Sequence, residues 1–234
     1  PPVEAVIFDV DGTLVDSERD GHRVAFNLAF EQLGLPYRWE VEPYGQLLET
    51  TGGQQRLHRY LEGEGMTHEE RDELVPRLHA RKNELFRDLV AGGRVAARPG
   101  VEDLLDELEG AGVRLAVATT GSRAWVVPLL DRLFGADRFS PVVTGDDVDV
   151  RKPDPSAYLQ ALAPLDLDPS KALAMEDSAN GLIAAQAAGL TCVVVVNDYT
   201  SDHNLDGAAL VVDTFQDLDV GALRRVHLQA QGDV

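Results

Sequence analysis

Short apolar runs alternate with helical patterns along most of the chain. The run Val3 to Asp9 is apolar and β-branched, and similar runs recur at Val113 to Ala118, Ala172 to Met175, Cys192 to Val196 and Ala208 to Val212. Continuous apolar runs of this length are typical of strands that are covered on both faces. Strands that alternate with helices predict an α/β fold, with a Rossmann-like, doubly wound parallel sheet.

The segment between the first two runs has a different character. From about Ser17 to Arg94 no β-branched run occurs, and the pattern is entirely helical, with turn signals near 34–36 and 63–65. We therefore predict a core of residues 1–16 and 95–234 and an inserted, all-helical cap of residues 17–94. Because the insertion follows the first strand, we expect it over the carboxyl edge of the sheet, where it would exclude water and select substrates.

Composition narrows the classes of partner. The 234 residues are 44% apolar, and 40 acidic against 21 basic residues give a net charge of −19. This charge argues against nucleic acid or an anionic membrane as partner, so an anionic substrate would need local cations. The single cysteine, Cys192, excludes a disulfide framework, and no run resembles a signal peptide or membrane span. We expect a cytoplasmic monomer.

Several predicted strands end in side chains that can do chemistry. The string FDVDGT places Asp9 and Asp11 two residues apart at the end of the first strand. Acids beside an apolar strand are costly without a cation. An Asp-Gly pair alone often marks only a tight turn. Thr119 closes RLAVAT, Lys152 lies in RKPDP, and the pair Glu176-Asp177 closes ALAM. Each of these alone also has an ordinary structural explanation.

Together, these four motifs resemble those of the haloacid dehalogenase superfamily, in the same order and over essentially the whole chain. The resemblance implies that Asp9 is the nucleophile, which attacks phosphorus and forms an aspartyl phosphate. Asp11 would be the general acid and base. Lys152 would neutralise the acyl phosphate. Thr119 would bind phosphoryl oxygens.

Magnesium is the cofactor that the resemblance implies. Its ligands would be Asp9, Asp177, the main-chain carbonyl of Asp11, and Glu176 directly or through water. Dehalogenases of the superfamily need no metal and lack the second aspartate. Asp11 and the Glu176-Asp177 pair therefore favour phosphoryl transfer over dehalogenation.

The strings SERDGHRVAFNLAF and LLETTGGQQRL are similar to the CbbY-like sugar phosphatases of the β-phosphoglucomutase-like branch. This similarity implies a pentose or hexose mono- or bisphosphate as substrate, with xylulose 1,5-bisphosphate as first choice. Arg56, which follows Gly53, resembles an arginine that binds the phosphate that is not transferred. Gln54 and Gln55 replace the usual lysine and glutamate, which weakens the case for a bisphosphate.

The remaining candidates for substrate binding each have two interpretations. Main-chain amides at Thr120 and Gly121 would bind phosphoryl oxygens, although they also suit an ordinary strand-to-helix turn. Glu18 would bind sugar hydroxyls or be an exposed hinge acid. His22 is either an acid-base residue, as in the mutase, or a structural histidine. Arg123 either reaches substrate phosphate or lies on the surface.

Two rival functions stay open at this stage. A sugar-phosphate mutase of the β-phosphoglucomutase type shares the first half-reaction but returns the phosphoryl group to another hydroxyl. A non-enzymatic signalling module also places acids and magnesium at sheet ends. The helical insertion and Asp11 count against the signalling module.

Overall fold

The computed structural model describes residues 2–50 and 52–232, and the chain divides into two compact units. The first unit, which we call the core, comprises Pro1–Asp16 and Ala96–Val234. The second, which we call the cap, comprises Ser17–Val95.

The described part of the core contains a parallel sheet of six strands in the order β3-β2-β1-β4-β5-β6. The strands are β1 (Ala5–Phe8), β2 (Arg114–Ala118), β3 (Val142–Val143), β4 (Ala172–Glu176), β5 (Thr191–Val195) and β6 (Leu210–Val212). Ala5 pairs with Arg114 on one side and with Ala172 on the other, so β1 lies in the interior of the sheet. The predicted α/β, Rossmann-like fold is confirmed.

The described residues of the cap form helices and turns and contain no strand. A single π-helical turn at Glu18–His22 leads into α1 (Arg23–Gln32), and α2 (Val41–Leu47), α3 (Gly53–Gly63) and α4 (His68–Ala91) follow. The buried stripe of α1 comprises Ala25, Phe26, Ala29 and Phe30. Helix α4 begins at a capping box in which Thr67 and Glu70 bind each other's backbone amides.

The remaining helices lie in the core and are α5 (Val101–Gly110), α6 (Arg123–Phe134), α7 (Ser156–Leu165), α8 (Ala179–Ala187) and α9 (Val220–Ala230). One face of the sheet, which includes Ala5 and Ile7, packs against α7 and α8. Because side chains alternate along a strand, Phe8 lies on the opposite face, where its ring contacts Phe139. Helices thus cover a strand that is buried on both faces.

The observed elements differ from the expected ones mainly at their ends. The strand expected at Val3 to Asp9 spans Ala5–Phe8, and that expected at Ala208 to Val212 spans Leu210–Val212. Strand β3 was not predicted, because two residues at the edge of a sheet give no recognisable run. None of the described helices combines the length and the apolar character that crossing a bilayer requires.

Candidate active site

The first predicted catalytic residue, Asp9, directly follows β1 and is buried. Its backbone N–H donates to the carbonyl of Met175 on β4 over 3.0 Å, which continues the sheet pairing by one residue. Its side chain accepts from Lys152 Nζ at 2.8 Å through Oδ1 and from Thr13 Oγ1 at 3.3 Å through Oδ2. Two donors therefore orient the carboxylate.

A tight turn follows Asp9 and carries the half-exposed Asp11. Hydrogen bonds from Gly12 N to Val15 O (2.8 Å) and from Val15 N to Val10 O (3.2 Å) close it. Gly12 has a φ of +77°, and a Cβ at this position would overlap Asp177 Oδ2. The turn requires glycine for its conformation and because Asp177 lies directly against the backbone.

Lys152 connects the carboxyl ends of three adjacent strands. Its Nζ donates to Asp9 Oδ1 (2.8 Å), to the carbonyl of Ala118 on β2 (2.8 Å) and to Glu176 Oε1 on β4 (2.5 Å). Burial alone would lower the pKa of Lys152, but the charges of Asp9 and Glu176 outweigh this effect and raise it. The ammonium group is therefore charged, and its three hydrogens have acceptors.

Glu176 and Asp177 lie at the end of β4. Glu176 Oε1 also accepts from the Tyr158 hydroxyl at 2.5 Å, and a Cβ on Gly181 would collide with the Glu176 carboxylate. Asp177 Oδ2 accepts from Asn197 Nδ2 at 2.8 Å. Both carboxylates are thus held by specific neighbours rather than exposed to solvent.

The acid cluster fits a divalent cation. Asp9, Glu176 and Asp177 are buried, and each offers a ligand oxygen within 4.8 Å of the others. Burial raises the pKa of Asp9, raises that of Glu176 to about 7, and raises that of Asp177 well above its ordinary value, where the charges of the other two acids add to the effect. When all three are ionised, the carboxylates against Lys152 leave an excess of two negative charges, which one divalent ion with oxygen ligands would balance.

The second predicted motif lies on the neighbouring strand. Thr119 directly follows β2, is fully buried, and donates its N–H to the carbonyl of Val143 at 3.0 Å. Its Oγ1 accepts from Gly121 N at 3.1 Å. The preceding residue, Ala118, binds Lys152, so the strand end that carries Thr119, Thr120 and Gly121 is tied to the acid cluster.

Arg123, a candidate for substrate binding, is held elsewhere in the core. Its Nη2 donates to Asp147 Oδ2 at 2.5 Å and to the carbonyl of Val142 at 3.1 Å. The guanidinium is bound to β3 and the loop that follows it. Reaching a phosphate would require Arg123 to leave Asp147.

Two predicted cap residues, Glu18 and Arg56, contact the same side chain. The hydroxyl of Tyr44 donates to Glu18 Oε2 at 2.7 Å and accepts from Arg56 Nη1 at 3.2 Å. Arg56 is buried, and its Nε donates to the carbonyl of Leu47 at 3.1 Å. Gly53 is the first residue of α3, the helix that carries Arg56. A Cβ at Gly53 would approach His79 Nε2 to 2.7 Å.

His22 lies beside a buried lysine in the cap. Its Nδ1 is 2.9 Å from Lys82 Nζ, and its ring stacks on Phe86 with centroids 3.9 Å apart. A lysine ammonium can only donate, so Nδ1 accepts and carries no proton. Burial and the Lys82 charge lower the pKa of His22 to about 3. His22 is therefore neutral near pH 7.

Four residues that hold these groups in place were not predicted from the sequence: Tyr158, Asn197, Arg98 and Lys82. Asn197 follows the predicted strand Cys192 to Val196, so the strand-end reasoning applied to Asp9 and Thr119 would also have identified it. Tyr158 and Lys82 lie inside helices, where the sequence gives no signal that they contact Glu176 and His22.

Comparison with known proteins identifies the family. The family model for haloacid dehalogenase-like hydrolases matches residues 3–189. The chain belongs to this family. This haloacid dehalogenase-like (HAD-like) hydrolase is 42% identical to CbbY from Cereibacter sphaeroides over 234 residues, which cover 97% of this chain and 98% of CbbY. It is 31% identical to a phosphorylated carbohydrates phosphatase from Thermotoga maritima, with 89% and 90% of the two chains covered.

A solved structure shows the same likeness for this HAD-like hydrolase. A mutant CbbY from Rhodobacter sphaeroides, in complex with xylulose 1,5-bisphosphate, aligns with a TM-score of 0.81 and 42% identity. The alignment covers 92% of this chain and 96% of CbbY. The predicted family and the predicted enzyme class, a phosphatase of this family, are confirmed.

Proposed function

We propose that this HAD-like hydrolase is a magnesium-dependent phosphatase that removes phosphate from a small sugar phosphate through an aspartyl-phosphate intermediate. The observation that carries the proposal is the 2.8 Å contact between Lys152 Nζ and Asp9 Oδ1 within a group of three buried carboxylates. A carboxylate nucleophile approaches an anionic phosphate only where fixed positive charge offsets their repulsion.

In the first step the Asp9 carboxylate attacks phosphorus, and the bond from phosphorus to the sugar oxygen breaks. Asp11 gives its proton to the departing oxygen, so the sugar leaves as an alcohol. In the second step Asp11 takes a proton from water as the water attacks the phosphorus of the aspartyl phosphate. Inorganic phosphate leaves, and Asp9 and Asp11 return to their initial forms.

The neighbouring residues hold and neutralise the transferring group. Asp9, Glu176, Asp177 and the Asp11 carbonyl would bind magnesium, which when bound supplies positive charge to the phosphoryl oxygens. Lys152 remains charged and neutralises the acyl phosphate on Asp9. Thr119 and the main-chain amide of Thr120 would donate to the phosphoryl oxygens. The Gly121 amide, which donates to Thr119 Oγ1, would orient that hydroxyl.

We propose xylulose 1,5-bisphosphate, or a close pentose or hexose phosphate, as substrate. The likeness to CbbY, solved with that compound, and to a phosphorylated carbohydrates phosphatase supports this choice. On the cap, Arg56 would bind the phosphate that is not transferred, and Glu18, His22 and Gly53 would contribute to sugar recognition. Burial of Arg56 in a chain of net charge −19 agrees with selection of an anion.

The test is phosphate release from a panel of pentose and hexose mono- and bisphosphates, including xylulose 1,5-bisphosphate, with magnesium or with EDTA. We expect release only with magnesium and fastest from xylulose 1,5-bisphosphate. The variant Asp9→Asn should abolish release while keeping the fold, and the matched surface variant Asp149→Asn should behave like the wild type. Wild-type release by Asp9→Asn would exclude Asp9 as the nucleophile.

Analysis of the products separates the rival functions. An isomeric sugar phosphate that forms only with catalytic bisphosphate would identify a mutase. A stable acyl phosphate without turnover would identify a signalling module. Either result would contradict the proposed hydrolysis.

A further inference from the structure

The side-chain amide of Asn197 bridges two parts of the acid cluster. Its Nδ2 donates to Asp177 Oδ2 at 2.8 Å and to the carbonyl of Gly12 at 3.1 Å. An amide nitrogen carries two hydrogens, and each has an acceptor here. Asn197 thus joins the turn after β1 to the acid pair at the end of β4.

The other end of the amide determines its orientation. Asn197 Oδ1 accepts from the backbone N–H of Tyr199 at 2.9 Å. A backbone N–H donates to an oxygen and not to an amide NH2 group, so Nδ2 is the atom that faces Asp177 and Gly12. The backbone N–H of Asn197 donates to the buried Thr200 Oγ1 at 3.0 Å, which holds the residue itself in place.

Arg98 binds the same carbonyl of Gly12. Its Nη1 donates to Gly12 O at 2.7 Å and to Val195 O at 2.9 Å, and its Nη2 donates to Val196 O at 2.6 Å. Gly12 O therefore has two donors, one from Arg98 and one from Asn197. The turn that carries Asp11 is held by side chains that start from two other segments of the core.

The two oxygens of Asp177 have different neighbours. Oδ2 is taken by Asn197, whereas Oδ1 lies 3.5 Å from Thr13 Oγ1, which is 3.3 Å from Asp9 Oδ2. Oδ1 is thus the oxygen on the side of Asp9.

We propose that Asn197 is a positioning residue of the active site. It binds Oδ2 of Asp177 and the carbonyl of Gly12, so that Asp177 presents Oδ1 to the divalent cation and the turn that carries Asp11 keeps its conformation. Arg98 assists by holding the same carbonyl. This inference rests on the proposed function, because it assigns Asp177 as a ligand of the catalytic cation.

Partners that orient a metal ligand typically change metal affinity or activity by about 10- to 100-fold when they are removed. Loss of the Asn197 amide would let the Asp177 carboxylate rotate and would remove one of two donors to Gly12 O. We expect both a weaker cation site and a lower kcat.

The experiment compares Asn197→Ser with Asn204→Ser. Both asparagines accept from the backbone N–H two residues later, at 2.9 Å from Tyr199 and at 3.0 Å from Asp206. Serine can also close such a turn, so the pair isolates the loss of the bridging amide. The readouts are binding of Mn²⁺, followed by the electron paramagnetic resonance signal of the free ion, and the kcat and KM of magnesium-dependent phosphate release.

We expect Asn197→Ser to bind Mn²⁺ about tenfold more weakly and to show a lower kcat at saturating Mg²⁺. Asn204→Ser should match the wild type in both. Unchanged Mn²⁺ affinity in Asn197→Ser, or equal losses in both variants, would overturn the inference. If Asn197→Ser does not fold, Asn197→Asp keeps the shape and the turn but loses both donors, and wild-type kcat in that variant would equally overturn it.

The failures of the two proposals differ. If the wild type binds Mn²⁺ and releases phosphate, and Asn197→Ser does the same equally well, only the proposed role of Asn197 is excluded. A wild type without magnesium-dependent release would contradict the proposed function, and a wild type that binds no Mn²⁺ would overturn both.

Discussion

The buried charged side chains of the described core are three acids and one lysine, whereas those of the described cap are all cations: Arg56, Arg71 and Lys82. The whole chain carries a net charge of −19. The core thus buries acids that require a cation. The cap buries cations, although the chain has only 21 basic residues against 40 acidic ones. The comparison agrees with the proposal that the core binds a divalent cation and the cap binds an anionic substrate.

The three cap cations differ in what they contact. Arg71 forms an ion pair with Glu62 at 3.0 Å, so its charge is already balanced. Arg56 contacts neutral groups, the Tyr44 hydroxyl and the Leu47 carbonyl. Lys82 contacts the neutral ring of His22. Of the two cations with neutral partners, Arg56 is the one that we assign to the substrate, because a guanidinium can bind phosphate through two donors.

The largest expected effect comes from removing Lys152, the one cationic side chain that is buried in the described residues of the core. Lys152→Met should lower kcat by about 10³-fold or more, because Lys152 is the only cationic side chain buried in the described cluster. Lys171 forms an exposed pair with Glu4 at the same 2.8 Å, so Lys171→Met is the matched control and should change kcat less than about twofold. Phosphate release at saturating magnesium is the measurement, and a loss under tenfold in Lys152→Met would contradict the assignment.

A smaller effect is expected from a conservative change in the cap. Arg56→Lys keeps the charge but loses the guanidinium geometry that binds phosphate through two donors, so kcat/KM for a sugar bisphosphate should fall about tenfold. The nearby Arg59 is exposed and donates to Thr50, and Arg59→Lys should leave kcat/KM unchanged. Because one phosphate is enough for the chemistry, monophosphates should be affected less. Equal losses of kcat/KM for mono- and bisphosphates would show that Arg56 does not bind the second phosphate.

The smallest expected effect concerns stability at low pH. The pKa of His22 is about 3 in the folded chain, against 6.5 for an ordinary histidine, so acid protonates the unfolded state first. The resulting stability is complete above about pH 6.5 and is lost as the pH falls towards 3. Between pH 7 and pH 5, the free energy of unfolding of the wild type should fall by about 1 to 2 kcal/mol more than that of His22→Gln.

Urea unfolding of the wild type and the variants at both pH values checks this prediction. The control is His68→Gln, which alters an exposed histidine of the same unit and should keep the acid sensitivity of the wild type. A His22→Gln variant that loses as much stability as the wild type would show that His22 is not kept neutral by its surroundings.

The sequence predicted the core better than the cap for a physical reason. Parallel strands bring their carboxyl ends to one edge, so a residue that follows a strand is placed by the backbone alone. Asp9, Lys152, Glu176 and Asp177 meet as the motifs predicted, although their catalytic roles remain proposals. The same reasoning extends to Asn197, which only the structure revealed as a partner of Asp177.

Side chains on the cap helices depend on packing that local patterns do not encode. The pairing of His22 with Lys82 spans 60 positions, and that of Glu18 with Tyr44 spans 26. The helical period indicates which face of α1 is buried but not which side chain of another helix it meets. Arg123 illustrates the same limit in the core, because its partner Asp147 follows β3, a strand too short to recognise.

The segments that leave and re-enter the core run side by side. Val15 and Ala97 form an antiparallel bridge, and Arg98 N donates to the carbonyl of Leu14 at 2.9 Å. The intervening eighty or so residues therefore begin and end at neighbouring points, and every strand of the sheet lies outside them. A change in the length or identity of this insertion would therefore leave the strand order of the sheet unaltered.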